Sequence, residues 1–172
     1  MDENDRAIAD IELFIDSSIK KFKSVFKGSV KDLGADLVDA TPRYFAHEPS
    51  SGNTAANWNI SEGSPDDSYN ESIADFDGGR TKSEIRRFVQ STKVTDNTVF
   101  WLVNKSPSIE AIEYGLYPTP VQKGSWNSQT KSHEIRSAGG YSLQAPLGIG
   151  IIAELRWDEI VKNNMAKRDV IE

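Results

Sequence analysis

Apolar residues at Ile8, Ile11, Ile15, Ile19, Phe22, Phe26, Val30, Leu33 and Leu37 follow one another at steps of three or four, so they share one stripe of an α-helix. The spacing predicts a single long amphipathic helix from Ile8 to Ala40, capped by Asn4 or Asp5. It should stop before Pro42, because proline has no amide proton and biases Thr41 toward extended geometry. At the rise of an α-helix this element would be roughly 50 Å long, more than the width of a small domain. Part of it should therefore project, and the stripe reads as core plus subunit interface. Gly28 and Gly34 fall off the stripe and mark expected points of kinking or fraying, each costing about 1 kcal/mol relative to alanine.

Beyond Pro42 the pattern changes to Ser, Asn, Asp, Gly and Pro as far as Gly79, interrupted by a period-two stretch in which Trp58 and Ile60 alternate with Asn57 and Asn59. That stretch predicts a strand, and Ser61 to Ser72 predicts a polar loop prone to disorder in isolation. Thr81 is placed to cap a second helix, Lys82 to Gln90, whose apolar face is Ile85, Phe88 and Val89. The run from Val99 to Val103 predicts a strand that pairs with the Trp58 strand in an antiparallel sheet. Asn104 to Pro107 is turn chemistry, and Ser108 to Tyr114 makes a short helix that stops at Gly115, expected to be a left-handed cap. Leu116 to Leu143 shows no period. After Pro146 a closing helix is expected over Leu147 to Met165, with a short strand over Leu147 to Ile152 and a helix from Trp157 as the alternative. The fold class is therefore α+β: one domain over residues 1–172, in which a long N-terminal helix (1–40) precedes an α+β body (41–166). The body holds a small, mostly antiparallel sheet, a C-terminal helix and an extended loop (116–143).

Charge and composition narrow the chemistry. A formal net charge of −6 argues against a protein that wraps a nucleic-acid backbone. With no cysteine there is no disulfide, thiolate metal site or cysteine nucleophile. The acidic opening Met-Asp-Glu-Asn-Asp does not resemble a secretion signal, and no apolar run is long enough to span a membrane. Membrane docking of the first helix is disfavoured because Asp10, Glu12, Asp16, Asp32, Asp36 and Asp39 interleave with its lysines. His47 and His133 are each followed by glutamate, but neither continues into a zinc-binding pattern, so no metal and no cofactor are expected. Glu110 and Glu113 share a helical face and would suit an acid and base pair, with His133 as a helper. That spacing is equally common on solvated surfaces. Gly78-Gly79-Arg80-Thr81 precedes a helix, the usual setting of an anion site, although it lacks the pattern and the lysine of a nucleotide loop and turn geometry explains it better. Lys123, Lys131 and Arg136 outweigh Glu134 in the irregular loop, and Trp126 lies among them. A basic, aromatic loop on an acidic chain suits an acidic partner, whether protein or nucleic acid.

Several short pieces occur in a telling order: Thr41-Pro42, Gly52 with Ala56-Asn57-Trp58, Val103-Asn104 before Pro107, Glu113-Tyr114-Gly115, Gly140-Tyr141-Ser142, and Gln144-Ala145-Pro146 with Gly148. Together they resemble the neck or tail-completion proteins of tailed double-stranded DNA bacteriophages, over roughly Thr41 to Met165. Arg43 to Ser51 is longer than the corresponding family stretch, and Ser108 stands where an aromatic is usual. The resemblance implies a structural virion protein with no catalytic residues, present in the host cytoplasm during assembly and in the phage neck afterwards. It implies a homo-oligomeric ring, hexameric or dodecameric, that contacts adjoining neck, tail-terminator or head-closure proteins. DNA would pass through its channel without specific binding. A small enzyme using Glu110, Glu113 and His133, or a nucleic-acid adaptor using the 123–136 loop, are the alternatives. Lys123, Trp126, Lys131 and Arg136 are the candidate partner-binding residues; Trp58, Asn104, Pro107, Glu113, Tyr114, Gly115, Gln144, Pro146 and Gly148 are the scaffold motif.

Overall fold

A computed structural model describes residues 2–43, 52–127 and 130–169. Helix α1 spans Glu3–Ala40 without a break. Its cap lies earlier than expected: the Asp2 carboxylate accepts from the Asp5 amide while the Asp5 carboxylate accepts from the Asp2 amide. This reciprocal pair satisfies orphan amides of the first turn and places negative charge at the positive helix pole. The chain leaves the helix at Thr41 with extended geometry, as the following proline requires.

The remaining elements are α2 (Asn53–Ala56), β1 (Trp58–Glu62), α3 (Gly79–Ser91), β2 (Phe100–Asn104), α4 (Ile109–Tyr114), β3 (Ser125–Asn127), β4 (Ser132–Glu134), β5 (Ser137–Ala138), β6 (Tyr141–Ser142) and α5 (Gly150–Asp169). The architecture is α+β, and among the described residues the strands form three antiparallel pairs, β1–β2, β3–β4 and β5–β6. In the first pair Trp58 lies opposite Asn104 and Ile60 opposite Leu102.

Two apolar clusters make the core. One joins Leu37, Ile112, Ala145, Ile149 and Ala153; the other joins Val30, Val38, Ile85 and Val89. Trp58 and Leu102 pack against both, so the β1–β2 strand pair is the seam between them. The Trp58 indole N–H is satisfied by the Thr41 hydroxyl at 2.8 Å, and that hydroxyl donates to the Leu37 carbonyl. A large aromatic can lie in the seam because its polar edge has a partner.

Gly28 and Gly34 are not weak points. Both are buried, α1 continues through them without a break, and each lets another helix approach closely. A Cβ on Gly34 would lie 2.8 Å from Ile85 of α3, and one on Gly28 would collide with Asn164 of α5. The glycines fall off the apolar stripe because α1 carries more than one packed face. Ion pairs border the α5 contact, Arg156 with Asp36 at 2.8 Å and Lys167 with Asp32 at 3.2 Å.

The polar tract after β1 is pinned to the body. Asn53 Nδ2 donates to the carbonyls of Asn70, Glu71 and Ile73, Asn57 exchanges bonds with the Asn70 backbone, and Asn59 Nδ2 donates to the Ser68 carbonyl. A composition that reads as disorder is thus ordered by three asparagines, whose amides both donate and accept.

Candidate assembly surfaces

Glu113 sits on the last turn of α4, facing the start of α5. Its Oε2 accepts from the amides of Ile149 at 2.7 Å and Gly150 at 2.8 Å, and its Oε1 accepts from Ile151 at 3.1 Å. The carboxylate therefore caps a helix remote in sequence, satisfying orphan amides and matching the positive pole of α5. Burial pushes its carboxyl up, but the amides of Gly150, Ile149 and Ile151 together outweigh burial and hold it below the usual carboxylate range. Gly148 belongs to the same clamp, since a Cβ there would lie 2.7 Å from the Glu113 carbonyl oxygen. Helix α5 accordingly starts at Gly150, four residues after Pro146 and not directly behind it.

Other motif residues tie further segments together. Gly115 closes α4 with φ 66°, the left-handed cap expected from the sequence, and a Cβ there would meet the Tyr141 ring at 2.5 Å. The Tyr117 amide donates to the Gly140 carbonyl at 2.9 Å. Asn104 ties the end of β2 to α2 by donating to the Thr54 carbonyl, while its Oδ1 accepts from the Ser106 amide and hydroxyl ahead of Pro107. Gln144 Oε1 accepts from the Arg43 amide at 2.8 Å, joining the chain after α1 to the stretch before α5. These residues form a structural hub. Tyr114, Leu116, Leu143 and Leu147, on the same segments, leave apolar side chains exposed.

Other sequence-based site expectations fare differently. Glu110 is exposed, whereas the Glu113 carboxylate is occupied by three amides, which removes the free base that an acid–base pair requires. His133 lies in β4, packs its ring edge-on to Trp126 and bonds through Nδ1 to the Gly124 carbonyl. His47 lies outside the described residues. Among the described residues no three His, Asp or Glu side chains gather as a metal site, and no helix is long and apolar enough to cross a membrane.

The anion site suggested by Gly78 to Thr81 is filled by the chain's own carboxylates. Asp77 accepts from the Gly79 amide, and one Asp75 oxygen accepts from both the amide and the hydroxyl of Thr81. Burial raises the Asp75 carboxyl, yet these bonds outweigh it and leave it lowered. Helix α3 starts at Gly79 behind a left-handed Gly78, so Thr81 is a buried partner of Asp75 and not the cap.

The segment from Leu116 to Leu143 contains β3 to β6, so it is a pair of short hairpins where the sequence shows no period. Strands this short pair with too few side chains to register a repeat. Lys123 and Lys131 are exposed and Trp126 is half-exposed. Arg136 is not available in the same way: it pairs with Glu134 at 2.7 Å, and its side chain is only 12% exposed. Glu134 also accepts from Asn127 and Thr130, which makes it the internal tie of the β3–β4 hairpin. A cleft of about 650 Å³ separates the Tyr117–Ser125 stretch from Arg136 and Ser142.

Among the described residues, α1 carries a run of exposed large apolar side chains. From Glu3 to Phe22 the helix projects from the body, with Ile8, Ile11, Leu13, Phe14, Ile15, Ile19 and Phe22 exposed, Phe14 by 71% and Phe22 by 67%. Packing against the body begins around Phe26, which meets Phe100 at 5.7 Å between ring centroids. The expected projection of the long helix is thus observed, and it amounts to an arm of roughly 30 Å.

Compared with protein-family models, curated proteins and solved structures, the chain finds no match.

Proposed function

We propose that this protein is a structural subunit of a bacteriophage neck, a ring-forming tail-completion or head–tail joining protein whose work is binding and not catalysis. The observation that carries the reading is the use made of the ordered motif set. Glu113, Gly115, Gln144 and Gly148 hold together one hub in which the Glu113 carboxylate is taken up by three backbone amides, while the arm and the β3–β4 hairpin carry exposed apolar and basic side chains. A rigid body with exposed arms suits an assembly subunit, because many modest contacts are multiplied by closed symmetry. In this reading the partners are further copies in a hexameric or dodecameric ring, and the adjoining tail-terminator or head-closure proteins. The net charge of −6 lets DNA pass the channel without adhering.

The β3–β4 hairpin is the contact with an acidic neighbour in the assembled particle. Reversing Lys123 and Lys131 to glutamate should leave thermal unfolding of the subunit unchanged and weaken incorporation into particles, most at low salt where screening is least. Arg136→Glu should differ in kind, because it places a second carboxylate beside Glu134 and damages the hairpin itself. Deleting Lys123 to Ser137 should leave the body folded and abolish incorporation. Particles that retain the protein after the double reversal and the deletion would show that the hairpin is not the contact.

A further inference from the structure

The first thirty-one residues of the chain carry two patterns along α1, one apolar and one of charge. The first is spatial symmetry about Ile15: Ile11 and Ile19 lie four residues to either side of it, and Ile8 and Phe22 lie seven to either side. All five side chains are exposed. The second is charge polarity. Asp2, Glu3, Asp5, Asp10 and Glu12 precede the midpoint with Arg6 as the only base and Asp16 directly follows it, whereas Lys20, Lys21, Lys23, Lys27 and Lys31 come next with no acid between Asp16 and Asp32.

We infer that two copies of this chain pair through these arms as an antiparallel two-stranded coiled coil, with the twofold axis at Ile15. An antiparallel pair brings each residue level with the one equally far on the other side of the midpoint. Ile15 then meets its own copy, Ile11 meets Ile19, and Ile8 meets Phe22, so the apolar seam is continuous. The same operation sets Asp10 level with Lys20 and Glu3 level with Lys27, and lays the acidic half of each arm along the basic half of the other. A parallel pair in register keeps the apolar seam but stacks acid on acid and lysine on lysine, which opposes it. Lys27 donates to the Gln90 carbonyl, so the basic end is anchored where the arm meets the body. An exposed helix of this length has little stability of its own in water, and pairing supplies the packing it lacks.

A cyclic ring points all its arms the same way, so the antiparallel pair is a form of the free subunit that opens before a ring closes.

The absence of cysteine makes the test direct. Under mild oxidation, Ile15→Cys should form a disulfide-linked dimer, Ile8→Cys alone should not, and a mixture of Ile8→Cys with Phe22→Cys should yield the mixed dimer. Sedimentation of the unmodified full chain should give twice the 19.1 kDa chain mass. Ile15→Asp should return it to the monomer with unfolding of the body unchanged. Asp10→Lys should weaken pairing roughly tenfold, and adding Lys20→Asp should restore it. Self-linking of Ile8→Cys as efficient as that of Ile15→Cys would overturn the antiparallel arrangement. A chain that sediments as a monomer at every concentration, or that binds anionic phospholipid vesicles through the arm as a monomer, would overturn the pairing altogether.

Discussion

Trp58→Ala is expected to destabilise the folded subunit by about 3 kcal/mol, through lost burial and the cavity that remains. The side chain packs against both apolar clusters, one of which contains Leu37 and Ala153 and the other Val38 and Ile85. The indole also satisfies Thr41 at the exit of α1, although that hydroxyl keeps its bond to Leu37 when the ring is gone. Urea unfolding followed by far-ultraviolet circular dichroism should therefore show a lower midpoint with an unchanged slope. An unchanged midpoint would mean that Trp58 is not the seam.

Gly115→Val should cost at least as much, about 3 kcal/mol, from two independent sources. A β-branched residue at φ 66° is strained, and its Cβ would meet the Tyr141 ring, forcing the 139–142 hairpin away from α4. The sequence alone suggests that Glu113→Gln should be mild beside it. The clamp on α5 changes that expectation: the substitution leaves three amides facing a neutral amide group, and charge-assisted bonds of this kind contribute about 1.5–3 kcal/mol. The two variants should separate by pH. Because the folded Glu113 carboxyl is held below its ordinary value of 4.5, its contribution is fully present above that value and is lost as pH falls through the lowered one. The stability gap between the native chain and Glu113→Gln should accordingly be widest near neutral pH and shrink in acid, while the Gly115→Val deficit stays constant. A gap for Glu113→Gln that did not narrow on acidification would show that shape, and not charge, matters there.

Much of the fold is legible in residue spacing. The long stripe of α1, the alternation around Trp58, the run ending in Asn104 and the stop at Gly115 each depend on local periodicity or on one backbone requirement, which sequence displays directly. Contacts between distant segments are not displayed in this way. Glu113 and Ile149 are 36 residues apart, and the available hint was the pair Gly148 and Gly150 ahead of a helix, which reads locally as a weak first turn. Gly28 and Gly34 were misleading for a related reason, since a glycine that admits a neighbouring helix adds nothing to a hydropathy stripe. Arg136 reads as a surface cation because the short β4 leaves no period in the sequence, so nothing there marks Glu134, two residues back, as the partner that holds it. Likewise the asparagine ties across residues 53–73 leave no periodic trace, because a carbonyl acceptor belongs to the backbone and not to any residue type.

The neck reading meets its most direct test in particles made without this chain. If the protein closes the junction between head and tail, electron micrographs of cells in which its gene is removed from the phage should show DNA-filled heads and complete tails accumulating unjoined. Supplying the native chain in trans should restore joined, infectious particles. Normal joined virions in the absence of the chain would contradict the reading.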